Sequence, residues 1–331
     1  MTNENTFTKL FFKNITLSIT LSLNTRFIEN ICSEFAFNRR SSKFFLPIII
    51  EWIKMEVRYL PNQESFRKAT TEELRKNFLI SSLFTDGTVE TLYSELDRAI
   101  IGSAVPENKE LFLESSKKEM GADYFTERRE IGIINIGGKG FVKVDDKTFD
   151  LETKDGIYIG KGKYKIFFGS YNSKLPALFY FVSFPAHQVY PIERISFKSA
   201  TPTRLGSKKE CNARTINKYI HPDGVQSCQL VMGLTELEEA SVWNTMPSHT
   251  HQRRSEVYMY FNLDDDSFVT HLMGESEETR HIIIRNREAV INPSWSIHSG
   301  VGTKNYSFIW AMGGENQVFD DMDWISPKSL K

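Results

Sequence analysis

The chain has 331 residues, 40% hydrophobic and 13% aromatic, which is long enough for two domains and rich enough to bury a core. A formal charge of −1 offers no basic field to a nucleic acid, and no run of 18 uncharged apolar residues predicts a membrane span. The three cysteines (Cys32, Cys211, Cys228) show neither disulfide nor metal spacing; so sparse and odd a usage fits a reducing compartment, and a cytoplasmic location is expected.

Residues 1–54 do not read like the rest. They lack glycine and carry seven basic against four acidic residues. The apolar stretch from Leu10 is interrupted by Lys13 with no small-residue cleavage site after it, so a secretory signal fits poorly. They are expected to be a poorly ordered, translated upstream extension, with Met55 as the true first residue.

The organised part divides at residue 200. In 55–200, Thr70 and Glu73 form a capping box that starts a helix running to about Ile80. A strand-like stretch follows over 92–101, then a buried strand over 125–136, a Gly137–Gly140 turn and an alternating return over 141–144. Short strands parted by turn signals continue through 156–160 and 164–168. This spacing predicts an all-β fold, a sandwich or barrel with a few short helices. Ser199–Lys209 reads as a polar linker. Within 201–331, strands are expected over 229–237, 267–273, 281–284 and 306–312, and the Asp264–Asp266 run reads as a solvated hairpin turn rather than a calcium loop.

One constellation in the second half carries chemistry. His249 and His251 alternate, which puts both imidazoles on one face of an extended strand. Glu256 opens the next alternating run, and Pro293 with His298 closes a later one. Three imidazoles and one carboxylate suit a divalent first-row ion with an open position. Zinc leads, because its sites use imidazole and carboxylate; manganese, iron, cobalt or nickel would also accept the set. The first half echoes the second: Glu127-Arg-Arg-Glu-Ile-Gly-Ile-Ile134 parallels Gln252-Arg-Arg-Ser-Glu-Val-Tyr-Met259, but without the histidines. Two barrels are therefore expected, residues 55–200 without metal and residues 201–331 with it.

The His-x-His, Glu, Pro-x-x-x-x-His pattern resembles the metal motifs of the cupin superfamily, with Trp295 where the usual second motif has glycine. Longer segments narrow the resemblance: Arg214–Tyr219, Met232–Leu237, Trp243–Pro247, Glu278–His281, Pro293–Lys304 and Gly314–Asp323 are similar to the 5-keto-4-deoxyuronate isomerase family, from about Met55 to the C-terminus. The resemblance implies two jelly-roll cupin barrels and a homohexamer. It implies a ketol-isomerase that turns 5-dehydro-4-deoxy-D-glucuronate into 3-deoxy-D-glycero-2,5-hexodiulosonate during pectin and glycosaminoglycan breakdown. The expected ligands of one metal per subunit are His249, His251, Glu256 and His298. Candidates for the base are Glu256, Glu236, Tyr258 or Tyr260, or a metal-bound hydroxide. Arg214, Arg253, Arg254 and Arg280, with His281, are candidates for holding the deoxy-uronate substrate, because guanidinium matches a carboxylate in bidentate fashion. Two rival readings are a metal-dependent dioxygenase and a non-catalytic sugar-binding cupin.

Overall fold

Strand Arg254–Phe261 is buried at every position. Its even residues Glu256, Tyr258 and Tyr260 point one way; its odd residues Val257, Met259 and Phe261 point the other and join a different apolar cluster. A strand covered on both faces reads as an unbroken apolar run rather than a clean alternation. The architecture follows from several such strands. The computed structural model describes residues 55–315, 317–318 and 321–331, all within one compact unit. The expected upstream extension, 1–54, lies outside the described residues.

Two seven-stranded sheets form, one in each half except that Leu79–Ile80 closes an edge of the second, and smaller sheets lie beside them. In the first large sheet, strands Val89–Ser94, Ile100–Ala104, Phe179–Pro185, Arg129–Asn135 and Gly156–Ile159 lie side by side in that order. In the second, Arg214–Ile220, Val231–Leu237, Ser307–Gly314, Arg254–Phe261 and Ala289–Asn292 take the same places. The smaller sheets, four-stranded in the first half and three-stranded in the second, complete two all-β barrels of the cupin type.

The two large sheets stack on each other. Tyr180, Val182 and Phe184 of the first meet Val257, Met259, Ile309 and Ala311 of the second in one continuous core. A buried carboxylate ties the seam: Glu130 accepts hydrogen bonds from the backbone N–H groups of Cys228, Gln229 and Leu230 and from the Tyr158 hydroxyl, at 2.7–2.9 Å.

The echo between the halves is structural. Arg129 lies opposite Pro185 as Arg254 lies opposite Gly314, so Ile131 occupies the place of Glu256. Apolar side chains fill the first barrel, among them Ile131, Ile133, Phe168, Phe179 and Phe181.

Several elements differ from expectation. The Thr70–Glu73 capping box forms as predicted, but the helix stops at Phe78, because Leu79 and Ile80 become an edge strand on Ala289–Asn292. Phe66, Leu74 and Phe78 accordingly pack into the core of the second barrel. The stretch 92–101 is two strands joined by a tight turn, with Asp97 and Arg98 at positive φ. The strand expected from Phe125 begins at Arg129. The expected linker contains a strand, Thr201–Leu205, on the sheet edge, the one place in a sheet where Pro202 costs no ladder bond.

Candidate metal centre

The site sits inside the second barrel. His249 and Thr250 form a two-residue strand against Asp323 and Trp324, and this pairing keeps His249 and His251 on one face. Glu256 comes from the adjoining long strand and His298 from Ile297–Gly302. All four side chains are at most 6% exposed. His249 Nε2 lies 3.1 Å from both His251 Nε2 and His298 Nε2; Glu256 Oε2 lies 2.8 Å from His298 Nε2 and 3.4 Å from His251 Nε2. One ligand atom from each residue falls within 4.8 Å of all the others.

This donor set fits a cation. Atoms bound to one ion at about 2.1 Å stand roughly 3.0–3.4 Å apart, close to the observed spacings. His298 Nδ1 faces the Ser296 carbonyl oxygen at 3.3 Å and donates to it when it carries the proton. Its Nε2 lone pair then points at a carboxylate oxygen and at a second imidazole, a repulsive arrangement that a cation relieves. Burial, reinforced by the neighbouring His298 and His251, pushes the His249 imidazole down to about 2, which leaves it the neutral imidazole that a metal would require. Burial also lowers His251, against the opposing pull of Glu256. For Glu256 burial favours the acid form, but without a metal, when Nε2 of His298 and His251 carries a proton, His298 and the hydrogen bonds from both rings outweigh burial and hold the carboxylate below its usual range.

A cavity of about 160 Å³ opens onto the cluster. His249, His251 and Glu256 form its floor; Arg214, Thr235, Thr245, Tyr258, Trp310, Met322 and Trp324 are among its walls. Gly233 makes one wall possible: a Cβ there would meet the Trp310 ring at 2.3 Å, and the indole uses that space to donate to Thr235 Oγ1 at 3.0 Å. Tyr258 is fully buried, with its hydroxyl 3.3 Å from Thr245 Oγ1; burial first and the Glu256 charge second raise it well above an ordinary phenol.

The expected site residues separate cleanly. His249, His251, Glu256 and His298 converge; Arg214 and Tyr258 line the same cavity. Arg254 is buried beside His251, with Nη2 3.1 Å from Nδ1, and is paired with Asp321 at 2.5 Å, so it braces the ligand from behind. Arg253 is exposed near Glu315. Glu236 lies on the opposite face of its strand from Thr235 and pairs with Lys154 at 2.5 Å. Arg280 bonds the Arg67 carbonyl, and His281 is exposed on an outer strand; neither joins the cluster. The candidate Tyr260 and His271 form a buried hydrogen-bonded pair, with His271 also bonded to Asn292 Oδ1. Residues not anticipated at the cavity include Thr235, Thr245, Trp310, Met322 and Trp324, with Asp321 behind His251; Asp321, Met322 and Trp324 lie in the C-terminal segment.

Fold and site together define a two-barrel cupin with one three-histidine, one-glutamate centre among the described residues. The model of the KduI/IolB family matches residues 79–326. A 4-deoxy-L-threo-5-hexosulose-uronate ketol-isomerase from Caldicellulosiruptor bescii is 58% identical over 277 residues, 84% of this chain and all of that protein. Its counterparts from Halalkalibacterium halodurans and from Escherichia coli O157:H7 are 52% and 48% identical over the same share of this chain. The solved structure of an IolB-like protein from Salmonella typhimurium LT2 shares the fold, with a TM-score of 0.59 at 12% identity, over 75% of this chain and 97% of that one. The chain belongs to the KduI/IolB family.

Proposed function

We propose that the chain is a ketol-isomerase, an intramolecular oxidoreductase that converts 5-dehydro-4-deoxy-D-glucuronate into 3-deoxy-D-glycero-2,5-hexodiulosonate. The observation that carries this is the convergence of His249, His251, Glu256 and His298 on one point, in a chain 58% identical to a whole protein named for this reaction.

The reaction moves a proton between adjacent carbons and exchanges a carbonyl for a hydroxyl. A divalent ion, zinc in our reading, would act at this site as a Lewis acid on neighbouring substrate oxygens. The Glu256 carboxylate lines the cavity and, through the oxygen that does not face the histidines, takes the proton from the hydroxyl-bearing carbon and returns it to the neighbouring one, while the hydroxyl proton passes to the former carbonyl oxygen. Tyr258, kept protonated by burial, donates a hydrogen bond to the oxygen that gains charge. Arg214, the one lysine or arginine among the described residues lining the cavity, pairs with the substrate carboxylate at the far end. The apolar walls, Phe308, Trp310 and Met312, keep water from the reacting carbons.

The same reading makes the protein a cytoplasmic homohexamer that binds a small sugar acid. Free Cys211 and Cys228 support a reducing compartment, and among the described residues no helix is long and apolar enough to cross a membrane. Light scattering of the purified protein tests the assembly.

The direct test is incubation with the unsaturated uronate released by a polysaccharide lyase, followed by product analysis by NMR. The hexodiulosonate is expected, with no uptake of oxygen. Oxygen consumption without that product would replace the isomerase with an oxygenase.

A further inference from the structure

Two nitrogens of each ligating imidazole have to be accounted for, and for His251 the outer one leads to the C-terminal tail. When Nε2 gives its lone pair to a metal, the neutral ring carries its proton on Nδ1, and a buried N–H needs an acceptor. Two groups face His251 Nδ1: Arg254 Nη2 at 3.1 Å and Asp321 Oδ1 at 3.5 Å. As the ring stands, Arg254 Nη2 donates to Nδ1; once a metal takes Nε2 and the proton moves to Nδ1, a guanidinium has no lone pair to offer, so of the two neighbours the Asp321 carboxylate is the one that can accept.

We propose that Asp321 is a positioning residue for the metal ligand His251, with Arg254 as the clamp that holds the carboxylate there; this rests on the metal reading given above. Arg254, with a side chain 0% exposed, bonds Asp321 Oδ1 at 2.5 Å through Nη2 and the Val318 carbonyl at 2.8 Å through Nη1. The carboxylate has two effects on His251. It fixes the tautomer and ring orientation that present a bare Nε2, and it offsets the Arg254 charge, which would otherwise repel a cation bound nearby.

The tail is anchored where this role requires it. Asp323 and Trp324 pair with Thr250 and His249, Ile325 N donates to the Ser248 carbonyl at 2.9 Å, and the Trp324 ring lies 5.1 Å from the His249 ring. Asp321 lies against His251 and Trp324 against His249, so the tail reaches both histidines of the motif. The other two ligands lack such a carboxylate among the described residues: His298 Nδ1 faces the Ser296 carbonyl, and His249 Nδ1 has no protein partner.

The test uses the full chain, stripped of metal and titrated with Co²⁺, reading both the visible absorption of the bound ion and its dissociation constant by chelator competition. Asp321→Ala should weaken Co²⁺ binding about 10- to 100-fold and shift the absorption bands. Asp323→Ala, an exposed change two residues away, should do neither. Asp321→Leu, closer in volume and without an acceptor, takes the place of the alanine variant if that one does not fold. Wild-type affinity and spectrum in the Asp321 variant would overturn the proposal, and so would equal weakening by Asp323→Ala, which would mean that the tail acts only as a wall. Absence of Co²⁺ binding by the wild type would instead overturn the metal reading itself.

Discussion

His251 is held from both sides: Nε2 faces His249 and Glu256, and Nδ1 faces Arg254 and Asp321. Replacing it with alanine removes one of four donors from a buried site. His251→Ala should lose the bound metal, measured by plasma mass spectrometry, and several kcal/mol of transition-state stabilisation, a fall of about 10³-fold or more in kcat/KM. Arg214→Gln should act differently. It removes one charged hydrogen-bonding partner at the far wall, so steady-state kinetics should show KM rising about 10- to 100-fold with metal content unchanged. The buried histidines also set a pH dependence. Burial lowers His249 to about 2 and His271 to about 3, each from an unfolded value near 6.5. Above about pH 6.5 these rings are neutral in both states; below it the unfolded chain takes up protons that the folded chain refuses, so stability falls as pH drops towards 3. Each ring contributes up to about 1.4 kcal/mol per pH unit. Denaturant melts of the metal-free protein between pH 7 and 5 should show this loss, and His271→Gln should make it shallower.

Strand Arg254–Phe261 shows what the sequence made legible. Alternation places Glu256 with Tyr258 and Tyr260, and the His-x-His spacing does the same for its pair, so the four side chains that converge could be named from spacing. Glu236 shows the limit. Its strand, Val231–Leu237, is apolar on both faces, because one faces the barrel and the other the sister sheet; alternation there did not reveal which parity faces the cavity, and Thr235 does. Proximity in sequence misled for His281, whose strand lies on the outside of the three-stranded sheet. The tail residues Asp321, Met322 and Trp324 meet the site only through long-range pairing with His249 and Thr250, which no local pattern encodes. The close approach of Gly233 to Trp310 was equally hidden. Gly233→Ala should displace the indole, cost about 1–3 kcal/mol in a denaturation midpoint, and lower turnover through the distorted wall.

At the scale of the whole molecule, one architecture serves twice with opposite outcomes. The first barrel closes on itself with Ile131 and Phe181, whereas the second keeps Glu256 and its cavity. The halves are not independent: they share a core, and the Glu130 carboxylate of the first takes three backbone N–H groups of the second. Glu130→Ala would strand buried donors at the seam and should lower the unfolding free energy by about 3 kcal/mol or more in a denaturant melt. The account stands on the four converging side chains of the second barrel. Its most direct test is to strip the purified protein with a chelator, assay isomerisation of the unsaturated uronate, and titrate zinc back while counting bound ions. The account predicts activity that vanishes on stripping and returns in proportion to zinc, levelling off at one ion per chain; full turnover by protein shown to be metal-free would contradict it.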